Sequence, residues 1–284
     1  MKDKVVVIGL GLIGGSMALE LKKVFGYQIL GIEIDDDYAA KALNSGIIDK
    51  RISLNELSDV AVVIIAVPVS AVSSILETVL DRIGEETLVL DMGSTKYKIC
   101  SHVLRHPRRL NFVACHPIAG TEFSGPLAAK YDLFYGKVNI ICDRNLSGAL
   151  FVDRALEIFN SLSMRTIFMN SEEHDKQIAY VSHLSHISSF MLGKTVLEIE
   201  KEDKNIFNMA GSGFESTVRL AKSSPKMWAA IFLENNVNIL KSLDEYIRNL
   251  EDFRHLIVEK KETELQKNMS GINRISEVLR GIKE

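Results

Sequence analysis

A doubly wound, mostly parallel α/β sheet followed by an all-helical second domain is the fold class this sequence predicts, and three observations carry it. A buried strand, VVVI, runs without a gap into the glycine pattern GxGxxG at residues 9 to 14. Short apolar runs then alternate with helix-like segments as far as residue 169, which is the rhythm of βαβ units. From residue 170 onward strand-like runs disappear and apolar residues recur at helical spacing, so the chain divides into domains 1–169 and 170–284.

The elements follow in order. Val5 to Ile8 makes the first strand. After it Gly9 permits a tight turn, Gly11 lets backbone approach a pyrophosphate, and Gly14 lets the next helix pack on the strand. The amphipathic segment Ser16 to Phe25 supplies that helix, whose N-terminus takes the phosphates. Gln28 to Ile34 is the second strand, and Glu33 near its end stands about twenty residues beyond the turn, where a carboxylate accepts hydrogen bonds from ribose hydroxyls. The combination predicts a Rossmann-type dinucleotide-binding domain. Glu33 should select NAD over NADP, because Ile34, Asp35, Asp36 and Asp37 supply no arginine for a 2′-phosphate; the alternative role for Glu33 is a cap on the next helix. Strands at Val60 to Val67, Thr87 to Asp91, Phe112 to Ala114, Lys137 to Cys142 and Thr166 to Met169 complete the sheet.

In the second half, Leu240, Leu243, Ile247, Leu250 and Ile257 form a stripe flanked by Lys241, Asp244, Arg248 and Glu251. That spacing resembles a two-helix seam, and it predicts packing on the same domain or, as the favoured reading, a homodimer interface. The charged, proline-free tail Glu259 to Glu284 reads as one further helix.

Composition bounds the function. With 284 residues, 46% hydrophobic and 25% charged, and a net charge of -3, the chain reads as an ordinary globular protein of the cytoplasm. No run approaches the roughly 18 apolar residues of a membrane span. Basic residues are dispersed, which argues against a nucleic-acid surface. Cys100, Cys115 and Cys142 have neither disulfide nor zinc spacing and read as small core residues.

Polar residues gather where strands end. AVPVS at 66 to 70 brings Val67 and Pro68 to the carboxyl edge, DMGSTK brings Ser94, and CHPIAGTE brings His116, Thr121 and Glu122. His116 suits a general base, since an imidazole with a pKa of roughly 6.5 accepts a proton near neutral pH; loop packing is the alternative. Ser94 can hold the His116 ring, touch the nicotinamide or cap a helix. In YVSHLSH, His183 and His186 share a helical face with Ser182. No metal site is expected there, because zinc needs three or four ligands and only the distant His174 offers itself. Further on, Gly211 and Gly213 break the helix before Arg219, which can clamp a carboxylate, and Trp228, which can wall an apolar ring; a surface arginine and a core tryptophan are the alternatives.

Taken together, GLGLIGGS, AVPV, DMGSTK, HPIAGTE, SHLSH and GFxxxxRLAxSxPxMW resemble, in order and over nearly the whole chain, the prephenate and arogenate dehydrogenase family of tyrosine biosynthesis. The resemblance implies a Rossmann domain joined to a helical dimerisation domain. It also implies oxidation of a cyclohexadienol, with loss of the ring carboxylate as carbon dioxide. His116 would then take the ring hydroxyl proton and Ser94 would orient His116. Thr121 and Glu122 would line the site, and Ser182, His183 and His186 would wall it. Arg219 would hold a substrate carboxylate with Trp228 close by. The cofactor positions would be Gly9, Gly11, Leu12, Ile13, Gly14, Glu33, Val67, Pro68 and Ser94.

Two departures stand out: Ser185 replaces a frequent proline, and Glu215 with Ser216 follows GSGF where a basic and an acidic residue are frequent. Glu215 near the substrate side chain would favour the amino group of arogenate. Two other readings are compatible with the sequence. One is an NAD-dependent hydroxy-acid dehydrogenase of the same plan, whose catalytic lysine would replace SHLSH. The other is a non-catalytic NAD sensor, which would not need Ser94, His116 and Arg219 together.

Overall fold

The structure is a computed structural model and describes residues 3–121 and 123–281. Among the described residues eight strands form one sheet: β1 (Lys4–Ile8), β2 (Gln28–Ile32), β3 (Lys50–Arg51), β4 (Val62–Ile65), β5 (Leu88–Asp91), β6 (Phe112–Pro117), β7 (Val138–Cys142) and β8 (Arg165–Met169). Their order is β3-β2-β1-β4-β5-β6-β7-β8, and only β6 with β7 is antiparallel. The chain reverses direction across the sheet between β1 and β4, which opens a ligand crevice at their carboxyl ends.

Strand residues alternate between two cores, as a period of two requires. Val5, Val7, Ile64, Leu90 and Val113 face one cluster with Met17, Leu21 and Phe159, whereas Val6, Ile8, Val63, Ile65 and Val89 face another with Leu76 and Phe112. The sheet is served by α1 (Leu12–Phe25), α2 (Asp36–Asn44), α3 (Val69–Arg82), α4 (Tyr97–His102) and α5 (Ala149–Ser161). Cys100, Cys115 and Cys142 are free and buried in these cores.

After Met169 the described residues contain no strand. α6 (Ser171–Ile178) runs through a π-helical turn, Ala179–His183, into α7 (Leu184–Glu200). Then come α8 (Ser212–Val218), α9 (Pro225–Glu234), α10 (Asn236–Val258), α11 (Glu262–Ile272) and α12 (Ile275–Gly281). Backbone proximity divides the chain into compact units Met1–Asn236 and Val237–Glu284. The first unit extends past residue 169 because buried polar contacts, described below, tie α6 and α9 to the carboxyl edge of the sheet. No helix among the described residues is long and apolar enough to cross a membrane.

Four details differ from the sequence reading. β3 is exposed and only two residues long, so no apolar run announces it. β6 continues past Ala114 through His116 and Pro117. Gly211 is the N-cap of α8 while Gly213 lies inside that helix. The tail, expected as one helix, makes two, with the break at Asn273 just after Gly271, both poor helix formers. On α10, Leu240, Ile247, Leu250 and Ile257 are each about half exposed.

Candidate active site

The glycine turn is built as a close approach between backbones. Gly9 has φ +89°, and a Cβ there would lie 2.5 Å from the Ala66 carbonyl oxygen and 3.0 Å from Val67 Cγ1. A Cβ on Gly14 would collide with the Gly9 carbonyl, whereas at Gly11 no atom lies within 4 Å. Gly11 is the N-cap of α1, and neither a side-chain cap nor an acidic residue serves that helix's first turn. Its first N–H groups, on Leu12 and Ile13 among others, therefore point their partial positive charge at an anion's position. Val67 and Pro68 follow β4 directly across the crevice, Pro68 as the N-cap of α3.

Glu33 is fixed against this turn rather than capping α2. Its Oε2 accepts from the Leu10 N–H at 2.8 Å and its Oε1 from the Asp35 N–H at 3.1 Å, while the Asp35 side chain caps α2. Arg51 on β3 donates to the Glu33 carbonyl at 2.9 Å and pairs with Asp36 at 2.6 Å. An arginine thus does stand beside Glu33, although its guanidinium is held by other groups; it lies too far along the chain for local reading to place it. An uncapped helix start, a turn closed to side chains and a buttressed carboxylate fit a dinucleotide.

A candidate catalytic cluster lies at the same carboxyl edge. His116, 8% exposed near the end of β6, pairs through Nδ1 with His174 Nε2 at 2.8 Å, and His174 Nδ1 meets Asp175 Oδ1 at 2.8 Å. Beneath them a fully buried Lys96–Asp91 ion pair holds the preceding residue. Lys96 Nζ donates to the Cys115 carbonyl at 2.7 Å, and Asp91 Oδ1 accepts from the Cys115 N–H at 3.1 Å. Burial, with His174, Lys96 and His183 nearby, keeps the His116 imidazole well below its ordinary 6.5. It is therefore neutral at physiological pH, with Nε2 as the nitrogen not engaged by His174.

Ser94 is half-buried between β5 and α4, and its hydroxyl makes no hydrogen bond to a described residue. The described hydrogen bond of the His116 ring goes to His174, a residue that sequence spacing offers only as a distant metal partner. Among the described residues no cluster of three or more His, Cys, Asp or Glu is arranged to hold a metal.

The helical wall gathers around Trp228 on α9. His186 stacks on the indole with ring centroids 3.5 Å apart, and His183 meets it edge-on at 6.0 Å. His186 Nδ1 is bonded to the Ser182 carbonyl at 3.0 Å, which is Ser182's contribution, and burial lowers the His186 pKa against that bond. Asn235 Nδ2 donates to the Asp175 carbonyl at 2.6 Å and approaches His183 Nδ1 at 3.3 Å. With Nδ1 accepting, His183 carries its proton on Nε2. That Nε2 and Trp228 Nε1 are buried with no hydrogen-bond partner among the described residues, two N–H donors suited to an acceptor.

Arg219 opens a 3-10 turn, Arg219–Lys222, pinned by the buried Ser189 hydroxyl, which accepts from the Ala221 N–H at 3.1 Å. The guanidinium is exposed, makes no ion pair with a described residue and lies close enough to His186 to lower its pKa. Thr121 is exposed, with Oγ1 accepting from the Phe123 N–H at 3.3 Å, and Glu122 lies outside the described residues.

Burial holds His183 down to about 4. The unfolded chain therefore takes up this proton first as pH falls below 6.5, so the stability tied to neutral His183 is lost between about 6.5 and 4. At pH 5 the loss is on the order of 2 kcal/mol. Thermal melts of the parent and His183→Gln at pH 7.5 and 5 check this: the parent's acid loss should exceed the variant's by that amount, and identical losses would refute it.

A doubly wound nucleotide crevice with a neutral buried histidine at its edge defines the class: a dinucleotide-dependent oxidoreductase. The family model for the nucleotide-binding domain of prephenate dehydrogenase matches residues 17–168, and the model for its dimerization domain matches 170–271. The chain belongs to the prephenate dehydrogenase family. It is 36% identical to prephenate dehydrogenase of Bacillus subtilis over 259 residues, covering 89% of this chain and 70% of that protein. It is 27% identical to cyclohexadienyl dehydrogenase of Zymomonas mobilis, covering 89% and 88%. The solved structure of prephenate dehydrogenase from A. aeolicus, in complex with hydroxyphenyl propionate and NAD+, superposes with a TM-score of 0.89 at 30% identity over 98% of both chains.

Proposed function

We propose that this enzyme oxidatively decarboxylates prephenate to 4-hydroxyphenylpyruvate, or arogenate to tyrosine, with NAD as hydride acceptor in tyrosine biosynthesis. The observation that carries the reading is His116, buried and neutral, with Nε2 unengaged by His174 at the edge that also carries the glycine turn. The ring carbinol carbon would give up its hydride to NAD bound at the glycine turn. His116 takes the hydroxyl proton, and the bond to the ring carboxylate breaks. Carbon dioxide leaves, and its bonding electrons aromatise the ring, whose oxygen regains a proton as a phenol. Aromatisation supplies the driving force, so the residues mainly align and accept a proton.

Arg219 binds a substrate carboxylate, while His183 Nε2–H and Trp228 Nε1–H supply donors to anionic or carbonyl oxygens. The hydroxyphenyl propionate of the A. aeolicus complex carries the phenol and carboxylate that such a product also has. Ser94 and Thr121 line the site from the sheet domain in this reading, as Glu122 does on sequence grounds. Residues 1–169 serve the nucleotide and 170–284 serve substrate and dimerisation, with the half-exposed stripe of α10 in the homodimer interface. A cytoplasmic location accords with three free thiols.

Glu33 sets cofactor choice. Glu33→Ser removes the carboxylate while Arg51 remains, so the NADP-to-NAD ratio of kcat/KM should rise by about tenfold, one charged hydrogen bond's worth; an unchanged ratio would refute the assignment. Prephenate and arogenate differ by a keto against an amino group. Glu215, exposed in the first turn of α8, favours arogenate, and equal turnover of both substrates by the parent and Glu215→Gln would sink that preference.

A further inference from the structure

We propose that His174 and Asp175 are positioning residues that lock His116 in the tautomer with its proton on Nδ1 and its lone pair on Nε2. The inference rests on His116 being the base named above, and three groups in a row fix where each proton sits. Asp175 is an acceptor: Oδ1 receives the Lys96 N–H at 2.8 Å and Oδ2 the Tyr97 N–H at 2.9 Å, at the N-terminus of α4. A carboxylate so engaged offers His174 Nδ1 an acceptor, so Nδ1 carries the proton and His174 Nε2 holds a lone pair. His174 Nε2 therefore accepts from His116 Nδ1–H at 2.8 Å, and the basic nitrogen of His116 is Nε2.

The surroundings hold the relay still. His174 is 1% and Asp175 3% exposed, and the Asn235 amide donates to the Asp175 carbonyl at 2.6 Å. When Nε2 takes the substrate proton, the Nδ1–H to His174 bond becomes charge-assisted and stabilises the imidazolium. No proton has to leave His116 toward His174 during this step. Asp175 thus joins two jobs, capping α4 beside the DMGSTK loop and fixing the ring that does the chemistry.

The test reads the tautomer directly by NMR of protein labelled with 15N-histidine, the His116 signals being those lost in His116→Asn. The parent should show the His116 proton on Nδ1. In Asp175→Asn the side-chain amide can turn a donor toward His174 Nδ1, reversing both rings and moving the His116 proton to Nε2. With it kcat should fall about a hundredfold or more while KM for NAD and substrate stays within about twofold. His174→Phe should lose kcat similarly, and His174→Gln, whose amide oxygen can accept from Nδ1–H, should recover about tenfold over it. A parental His116 proton on Nε2, or parental kcat in Asp175→Asn, would overturn the proposal. Should Asp175→Asn fail to fold through loss of its cap, the parental spectrum and the Gln-against-Phe comparison still decide. The spectrum needs no substrate, so an inactive parent would count against the proposed reaction alone.

Discussion

Replacing His116 with Asn is expected to lower kcat by about a hundredfold or more, the scale of a general base. Asn fills a similar volume but takes up no proton, so the loss should fall on kcat and leave NAD affinity within about twofold, because the glycine turn at Gly9 to Gly14 is untouched. Burial makes the effect specific in pH as well. The parent imidazole stays neutral well below its ordinary 6.5, so kcat should remain level from pH 8 down through 6.5 and fall only at lower pH. Steady-state rates with titrated NAD check both statements. A loss confined to KM, or an acid limb centred at or above 6.5, would show that another group is the base.

Replacing Arg219 with Gln should act on the other parameter. The guanidinium lies near His186 and has no carboxylate partner among the described residues, so it keeps its full capacity for a bidentate bond to a substrate anion. Losing two charge-assisted hydrogen bonds costs about 3 kcal/mol, or about a hundredfold in KM, with kcat changed by only a few-fold. Arg219→Lys should recover only part of this, since an ammonium cannot present the planar fork. Initial rates against substrate concentration decide; an unchanged KM would remove Arg219 from the binding site.

The parts legible in the sequence are those whose physics is local. The VVVI strand, the GxGxxG turn and Glu33 lie within one βαβ unit, and the structure keeps each in its expected place. The unexpected parts arise from contacts distant in sequence. His116 and His174 are 58 residues apart, one near the end of β6 and the other in the first turn of α6. Arg51 reaches the Glu33 carbonyl from a two-residue strand without hydrophobic pattern, and the antiparallel β7 follows from a chain reversal that no residue type marks. Ser94 shows the limit of inferring a contact from adjacency in motif order, because its strand end is close to that of His116 while the hydrogen bond goes to His174.

In the proposed reaction one hydride and one carbon dioxide leave a cyclohexadienol carboxylate at this site. The most direct measurement follows NADH absorbance and carbon dioxide release together, with NAD and either prephenate or arogenate. Equal molar amounts of NADH and carbon dioxide are expected with at least one substrate, both slowed in parallel by about a hundredfold or more in His116→Asn. NADH formed without carbon dioxide, or no NADH with either substrate, would contradict it.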